Sequence, residues 1–158
     1  MTNGKTNSKQ VRKIQMADVS EKPETLRQAT ARVELHASAK VMAAIQKQSL
    51  PKGDVIAAAQ IAGIEAAKRT SEIIPLCHPL RISHVAVDFH LNRNQVVILA
   101  KVTAKEQTGV EMEALTAASV AALTLYDMTK SIDRGIEIAH LCLLKKSGGK
   151  SGTWVRKK

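Results

Sequence analysis

Aromatic side chains are nearly absent from this chain: Phe89, Tyr126 and Trp154 are the only three among 158 residues. Proteins that grip single-stranded nucleic acid usually offer several aromatic platforms, each contributing about 1–3 kcal/mol per stacked base. The scarcity argues against nucleic acid as the partner. Cysteine is also sparse, with only Cys77 and Cys142, and no apolar segment opens the chain. Both features predict a protein of the reducing cytoplasm rather than a disulfide scaffold. No apolar run approaches the roughly 20 residues that a membrane-spanning helix requires, so no membrane association is expected.

Positive charge is plentiful, with a formal net charge of +10. It is unevenly distributed. Residues 1–30 carry six basic and three acidic side chains and residues 145–158 carry six basic ones, whereas residues 31–144 hold 12 against 11. A near-neutral body with basic ends attracts polyanions of any kind, including a triphosphate. A pI of about 9.9 keeps a second reading open, a basic RNA-binding module.

Length and a 44% hydrophobic content predict one core and a single domain over residues 18–152. A polar, turn-rich arm precedes it at 1–17, and a basic tail follows at 153–158. Alternation over Ala31–Leu35 predicts a first strand, followed by helices over 38–48 and 55–69. Two alternating runs, 82–91 and 95–103, are joined by Asn92-Arg93-Asn94 and predict a hairpin. A long helix over 109–132 and a last strand over 136–144 complete the order. That order predicts an α+β fold of ferredoxin-like type, an antiparallel sheet with helices packed on one face.

Residues 114–126 within the long helix carry no charge, while Glu111, Glu113, Asp127 and Lys130 stand at its ends. So apolar a helix predicts burial, with a second copy of the chain covering what one sheet face cannot. Asp127 and Lys130 lie three positions apart and share a face, where they form either a surface ion pair or, if desolvated, a proton-transfer pair. Thr108-Gly109-Val110-Glu111 has the form of a capping box, and Glu113 reads as a solvated carboxylate. Pro75 and Pro79 stiffen a loop that presents Cys77 and His78. A lone Cys-His pair falls short of a zinc pattern, and His84, His90 and His140 read as ordinary strand residues, so no metal site is expected. Two segments could hold an anion: Lys145–Gly152, which mixes glycine and lysine without full Walker A spacing, and Lys52-Gly53 at a helix start.

Five segments together resemble the MoaC family of molybdenum cofactor biosynthesis, the cyclic pyranopterin monophosphate synthases. They are Lys52–Val55, Ala66–Thr70, Ile74–Leu80, Thr108–Lys130 and Lys146–Gly152, with Asp18-Val19-Ser20 near the start. The resemblance implies a cytoplasmic lyase that converts a cyclic dihydro-GTP into cyclic pyranopterin monophosphate and diphosphate without a cofactor. It also implies a homohexamer, a trimer of dimers, with active sites between subunits. By the same resemblance, Asp127 and Lys130 are catalytic, and Leu76, Cys77, His78, Glu111, Met112 and Glu113 contact substrate. Lys52, Lys146 and Lys150 would hold the triphosphate. The chain departs from the family at Ala17, where a valine is common, and at Gln107, where some relatives carry a base.

Overall fold

A computed structural model describes residues 14–157, so the expected N-terminal arm lies outside the described residues except for its last four positions. The chain runs β1 (Thr25–His36), α1 (Ala39–Gln46), α2 (Val55–Lys68), α3 (Thr70–Ile73), β2 (Ile82–Leu91), β3 (Gln95–Glu106), α4 (Glu111–Thr129), β4 (Glu137–Ser147) and β5 (Trp154–Val155). The sheet order is β2-β3-β1-β4-β5, with every neighbouring pair antiparallel. Each helical crossover therefore skips one strand, the split βαβ pattern expected of a ferredoxin-like α+β fold.

Period-two side-chain alternation assigns the two faces of the sheet. Ala29, Ala31, Val33 and Leu35 of β1 and Val96, Ile98, Ala100, Val102 and Ala104 of β3 are buried in the core cluster. The alternate residues of β1, from Gln28 to His36, point to the opposite face, where Lys101, His84, Asp88 and His90 are exposed. The hairpin bounds match the sequence reading at β2, and Asn92 N–H closes the turn on the Gln95 carbonyl at 2.9 Å. β1 starts six residues earlier than expected because its N-terminal half pairs with β3 on one side and the end of β4 on the other. β5 was not anticipated: Trp154 and Val155 pair with Lys146 and Lys145, and Arg156 N–H donates to the Leu144 carbonyl at 2.8 Å.

Asp54 starts α2 by accepting from the amides of Ile56 and Ala57, both at 3.0 Å. Small residues then let α2 lie tightly on α4. A Cβ on Gly63 would stand 3.0 Å from the Ala117 carbonyl oxygen and 3.3 Å from Ala121 Cβ. Within the chain α2 covers much of the apolar surface of α4, leaving Leu123 and Met112 as its exposed large hydrophobics. The hydroxyls of Ser119, Thr124 and Thr129 donate to carbonyls four residues back, at 2.8, 2.8 and 2.6 Å. These three hydroxyls are thereby accommodated in a largely buried helix without lost hydrogen bonds.

Candidate active site

The two ends of α4 carry the chemistry. At its C-terminal end, Asp127 accepts from Lys130 Nζ through Oδ1 and from Lys52 Nζ through Oδ2, each at 2.7 Å. Lys130 is the C-cap of α4; Lys52 comes from the turn before α2. The sequence placed Lys52 at a helix start suited to an anion, but Asp54 already occupies the first amides of α2. Lys52 serves Asp127 instead.

Of the two arrangements open to this pair, the single chain shows the surface ion pair. The side chains of Asp127, Lys130 and Lys52 are about half exposed, because α4 emerges at the surface there and buries Met128 and Thr129 instead. Ion pairing sets the protonation states. Hydrogen bonds from Lys130 and then Lys52 draw the Asp127 carboxyl down to about 2, and the same carboxylate raises Lys130 above its ordinary value. The trio is thus held as one carboxylate between two ammonium groups.

At the N-terminal end, the expected capping box does not form. Val110 is the N-cap, and no side chain among the described residues caps the helix. Glu111 instead folds its carboxylate over Gly109, where a Cβ would collide with it. Glu113 is not the solvated carboxylate expected: it is 2% exposed, and the one other residue whose side chain it bonds among the described residues is Cys77, whose Sγ lies 3.8 Å from Oε1. Oε2 is buried without a partner. Burial is the main cause that raises the Glu113 carboxyl, and burial followed by the Glu113 charge raises the Cys77 thiol, which stays protonated. An unmet buried acceptor costs about 1–3 kcal/mol, which a ligand donor could recover.

His78 donates from Nε2 to the Ala17 carbonyl at 2.8 Å, which leaves Nδ1 free of the proton in the neutral ring. The proline-braced loop turns at Leu76, whose φ of 66° is left-handed. Leu76, Cys77, His78 and Met112 line a hollow of about 290 Å³ together with Glu111. Thr108, Gly109 and Glu111 also border a larger hollow of about 530 Å³ on the other side, which holds Lys22, Arg27, Lys146 and Lys150. Gly148 and Gly149 are essential to its wall, because their φ values of 99° and 69° suit glycine and a Cβ on Gly149 would fall on the Arg27 guanidinium. Arg27 is fixed by donating to the carbonyls of Glu106 and Gln107 at 3.2 and 3.0 Å. Lys146 Nζ donates to Ser151 Oγ across the same loop.

The structure therefore gathers the expected residues into two groups. Leu76, Cys77, His78, Glu111, Met112, Lys146 and Lys150 border neighbouring hollows, Glu113 is buried behind Cys77, and Asp127, Lys130 and Lys52 lie elsewhere. Glu113 and Asp127 stand 14 positions apart on α4, about 21 Å at 1.5 Å per residue. Sequence reading missed Arg27, because an arginine alternating within a strand carries no motif. It also missed a trio on the far side of the sheet, Glu34, His36 and His140, whose potential ligand atoms lie within 4.8 Å of one another. Both departures from the family pattern meet the site through their backbones: the Ala17 carbonyl accepts from His78 and the Gln107 carbonyl from Arg27. A changed side chain leaves those bonds in place.

A ferredoxin-like α+β protein with a basic, glycine-walled hollow beside a buried carboxylate has the makings of an anion-handling enzyme. Comparison with known proteins narrows this. The MoaC family model matches residues 16–149. A Mycobacterium tuberculosis protein named cyclic pyranopterin monophosphate synthase 2 is 53% identical over 142 residues, covering 90% of this chain and 85% of its own. Proteins named cyclic pyranopterin monophosphate synthase from Thermomicrobium roseum and Geobacter metallireducens are 51% and 52% identical, each over 143 residues. The matches cover 89% of this chain, and 86% and 89% of those relatives. The chain belongs to the MoaC family. No helix of the described residues is long and apolar enough to cross a membrane.

Proposed function

We propose that this chain is a cyclic pyranopterin monophosphate synthase of molybdenum cofactor biosynthesis, a phosphorus–oxygen lyase of the cytoplasm. Its substrate would be a cyclic dihydro-GTP, and its products cyclic pyranopterin monophosphate and diphosphate. The observation that carries the catalytic part is the Asp127 carboxylate held at 2.7 Å by both Lys130 and Lys52.

Rearranging a purine-derived ring into a pyranopterin moves protons among ring nitrogens and sugar oxygens without oxidation or reduction. The ion pair keeps Lys130 protonated and Asp127 ionised before substrate arrives; substrate that separates them would loosen the hold on the Lys130 proton and free the Asp127 carboxylate to receive one. In the phosphate step a sugar hydroxyl oxygen bonds to the α-phosphorus, the bond to the β-phosphate breaks, and the hydroxyl proton leaves to a base. Diphosphate departs with the extra negative charge, which Lys146, Lys150 and Arg27 would stabilise in the glycine-walled hollow. His78 and Glu113 would hold the base-derived ring, with the unpartnered Glu113 Oε2 accepting a ring N–H.

Within one chain, Asp127 and Lys130 lie about 21 Å along α4 from Glu113, too far for side chains at both ends to touch the same reacting atoms. This supports a site completed by a neighbouring copy: the Asp127 end of one protomer set against the His78 and Lys146 hollows of another, in a homohexamer built as a trimer of dimers.

Diphosphate release by the purified chain supplied with cyclic dihydro-GTP tests the assignment. Equimolar diphosphate and cyclic pyranopterin monophosphate are expected. Binding without release would mark a nucleotide sensor, and salt-dependent RNA binding without turnover would mark an RNA module; either would overturn the proposal.

A further inference from the structure

Glu34 presents a puzzle that the reaction does not answer. It sits in β1, the middle strand of the sheet, on the face turned away from α4, yet its side chain is only 9% exposed. Its Oε1 accepts from Arg32 Nη2 at 2.6 Å, and its Oε2 lies 2.9 Å from His36 Nε2. A third group joins them because the sheet is broken at this point. Arg32 pairs with Cys142 and Glu34 with Ala139, so His140 and Leu141 together stand opposite Val33.

That extra residue is a β-bulge, and His140 adopts a left-handed φ of 54° to make it. In an unbroken ladder His140 would pair with Val33 and point toward the helices. The bulge swings its imidazole to the open face instead, 6.1 Å centroid to centroid from that of His36. A left-handed backbone at a non-glycine residue costs of order 1 kcal/mol, and here it delivers a second imidazole to a buried carboxylate.

We propose that Glu34, His36 and His140 form a binding site for one divalent transition-metal ion of the zinc type. The donor set of two imidazole nitrogens and one carboxylate oxygen suits zinc and its first-row neighbours, and is a poor match for magnesium, which prefers an all-oxygen shell. The spacing agrees. Two ligand atoms at about 2.1 Å from a tetrahedral ion stand about 3.4 Å apart. The 2.9 Å between His36 Nε2 and Glu34 Oε2 needs only a small expansion, with the ion taking the place of the hydrogen bond between those atoms. All three candidate ligand atoms lie within 4.8 Å of one another. Arg32 opposes the ion by charge but is about a third exposed, and by binding Oε1 it fixes the carboxylate with Oε2 free to serve as ligand. This site lies across the sheet from α4, and its occupancy does not depend on the catalytic reading.

The untagged, chelator-stripped full chain titrated with Zn²⁺ by calorimetry, and with Co²⁺ by visible absorption, tests the site. One ion per chain is expected, with the absorption of low-coordinate Co²⁺. His140→Ala, an exposed position, should weaken Zn²⁺ binding by at least about tenfold with unchanged circular dichroism. Glu34→Gln should do likewise, and His84→Ala, on the same face, should bind as the wild type does. Absence of binding by the wild type would overturn the site. So would equal affinity in His140→Ala and His84→Ala, or Mg²⁺ binding as tight as Zn²⁺.

Discussion

Lys52 and Asp127, 75 positions apart in the chain, meet at 2.7 Å, so the turn before α2 and the last turn of α4 form one charged cluster. Lys130 completes it from the other oxygen of the same carboxylate. The cluster stands at one end of α4, and the proposed substrate contacts stand at the other.

If an active site joins those ends across two copies, two defective chains should rescue each other. Asp127→Asn and His78→Ala should each be inactive alone. Co-expressed in equal amounts, they should recover about a quarter of wild-type diphosphate release, the share of sites built from two intact contributors. No recovery in verified mixed oligomers would place the whole site within one chain.

Asp127 should titrate near its lowered value of about 2 rather than 3.8, as read by carboxyl NMR at low salt. Because the folded-state value is depressed, any stability it contributes is complete above the unfolded-state pKa and is lost as pH falls through about 2. The cluster is solvent-exposed, so high salt should bring the value back toward normal. Lys130→Ala combined with Lys52→Ala should do the same. A wild-type value that stays near 3.8 would show that the ion pairs do not persist in solution.

Glu113→Gln should separate stability from activity. A carboxyl raised by burial opposes folding as pH rises through its folded-state pKa, so removing the charge should stabilise the substrate-free chain at neutral pH by about 1 kcal/mol. Catalytic efficiency should fall at least tenfold at the same time, measured as kcat/KM. A destabilised variant of full activity would contradict both roles given to Glu113.

Gly149→Ala should weaken substrate capture. The added Cβ meets the Arg27 guanidinium at a backbone φ of 69°, so Arg27 must leave the carbonyls of Glu106 and Gln107. The expected result is a KM raised several-fold with kcat nearly kept, seen in steady-state diphosphate release. An unchanged KM would remove this hollow from triphosphate binding.

The fold was legible where alternation was strong. Val85–Leu91 carries a period of two before a turn at Asn92-Arg93-Asn94, and the strand over Ile82–Leu91 matched to the residue despite the register shift at Ile82 to His84. Glycine and lysine at 145–152 suggested a basic loop, but not that Lys145 and Lys146 would extend β4 to receive β5, since that depends on pairing with Trp154 and Val155. The site was legible in its residue types and not in its partners. Spacing showed that Asp127 and Lys130 share a helix face; nothing local could bring Lys52 to them or bury Glu113 beside Cys77. The capping-box pattern at Thr108–Glu111 misled because Glu111 packs on Gly109 and the helix begins at Val110 without a side-chain cap. His140 was hidden for a related reason: a bulge reverses the face that alternation assigns.

Diphosphate release by Asp127→Asn bears most directly on the central claim, that a carboxylate shared by two lysines moves the protons of the reaction. The variant should fold and assemble as the wild type does while its turnover of cyclic dihydro-GTP falls by about a hundredfold or more. Turnover at the wild-type rate by a normally folded Asp127→Asn chain would contradict the claim outright.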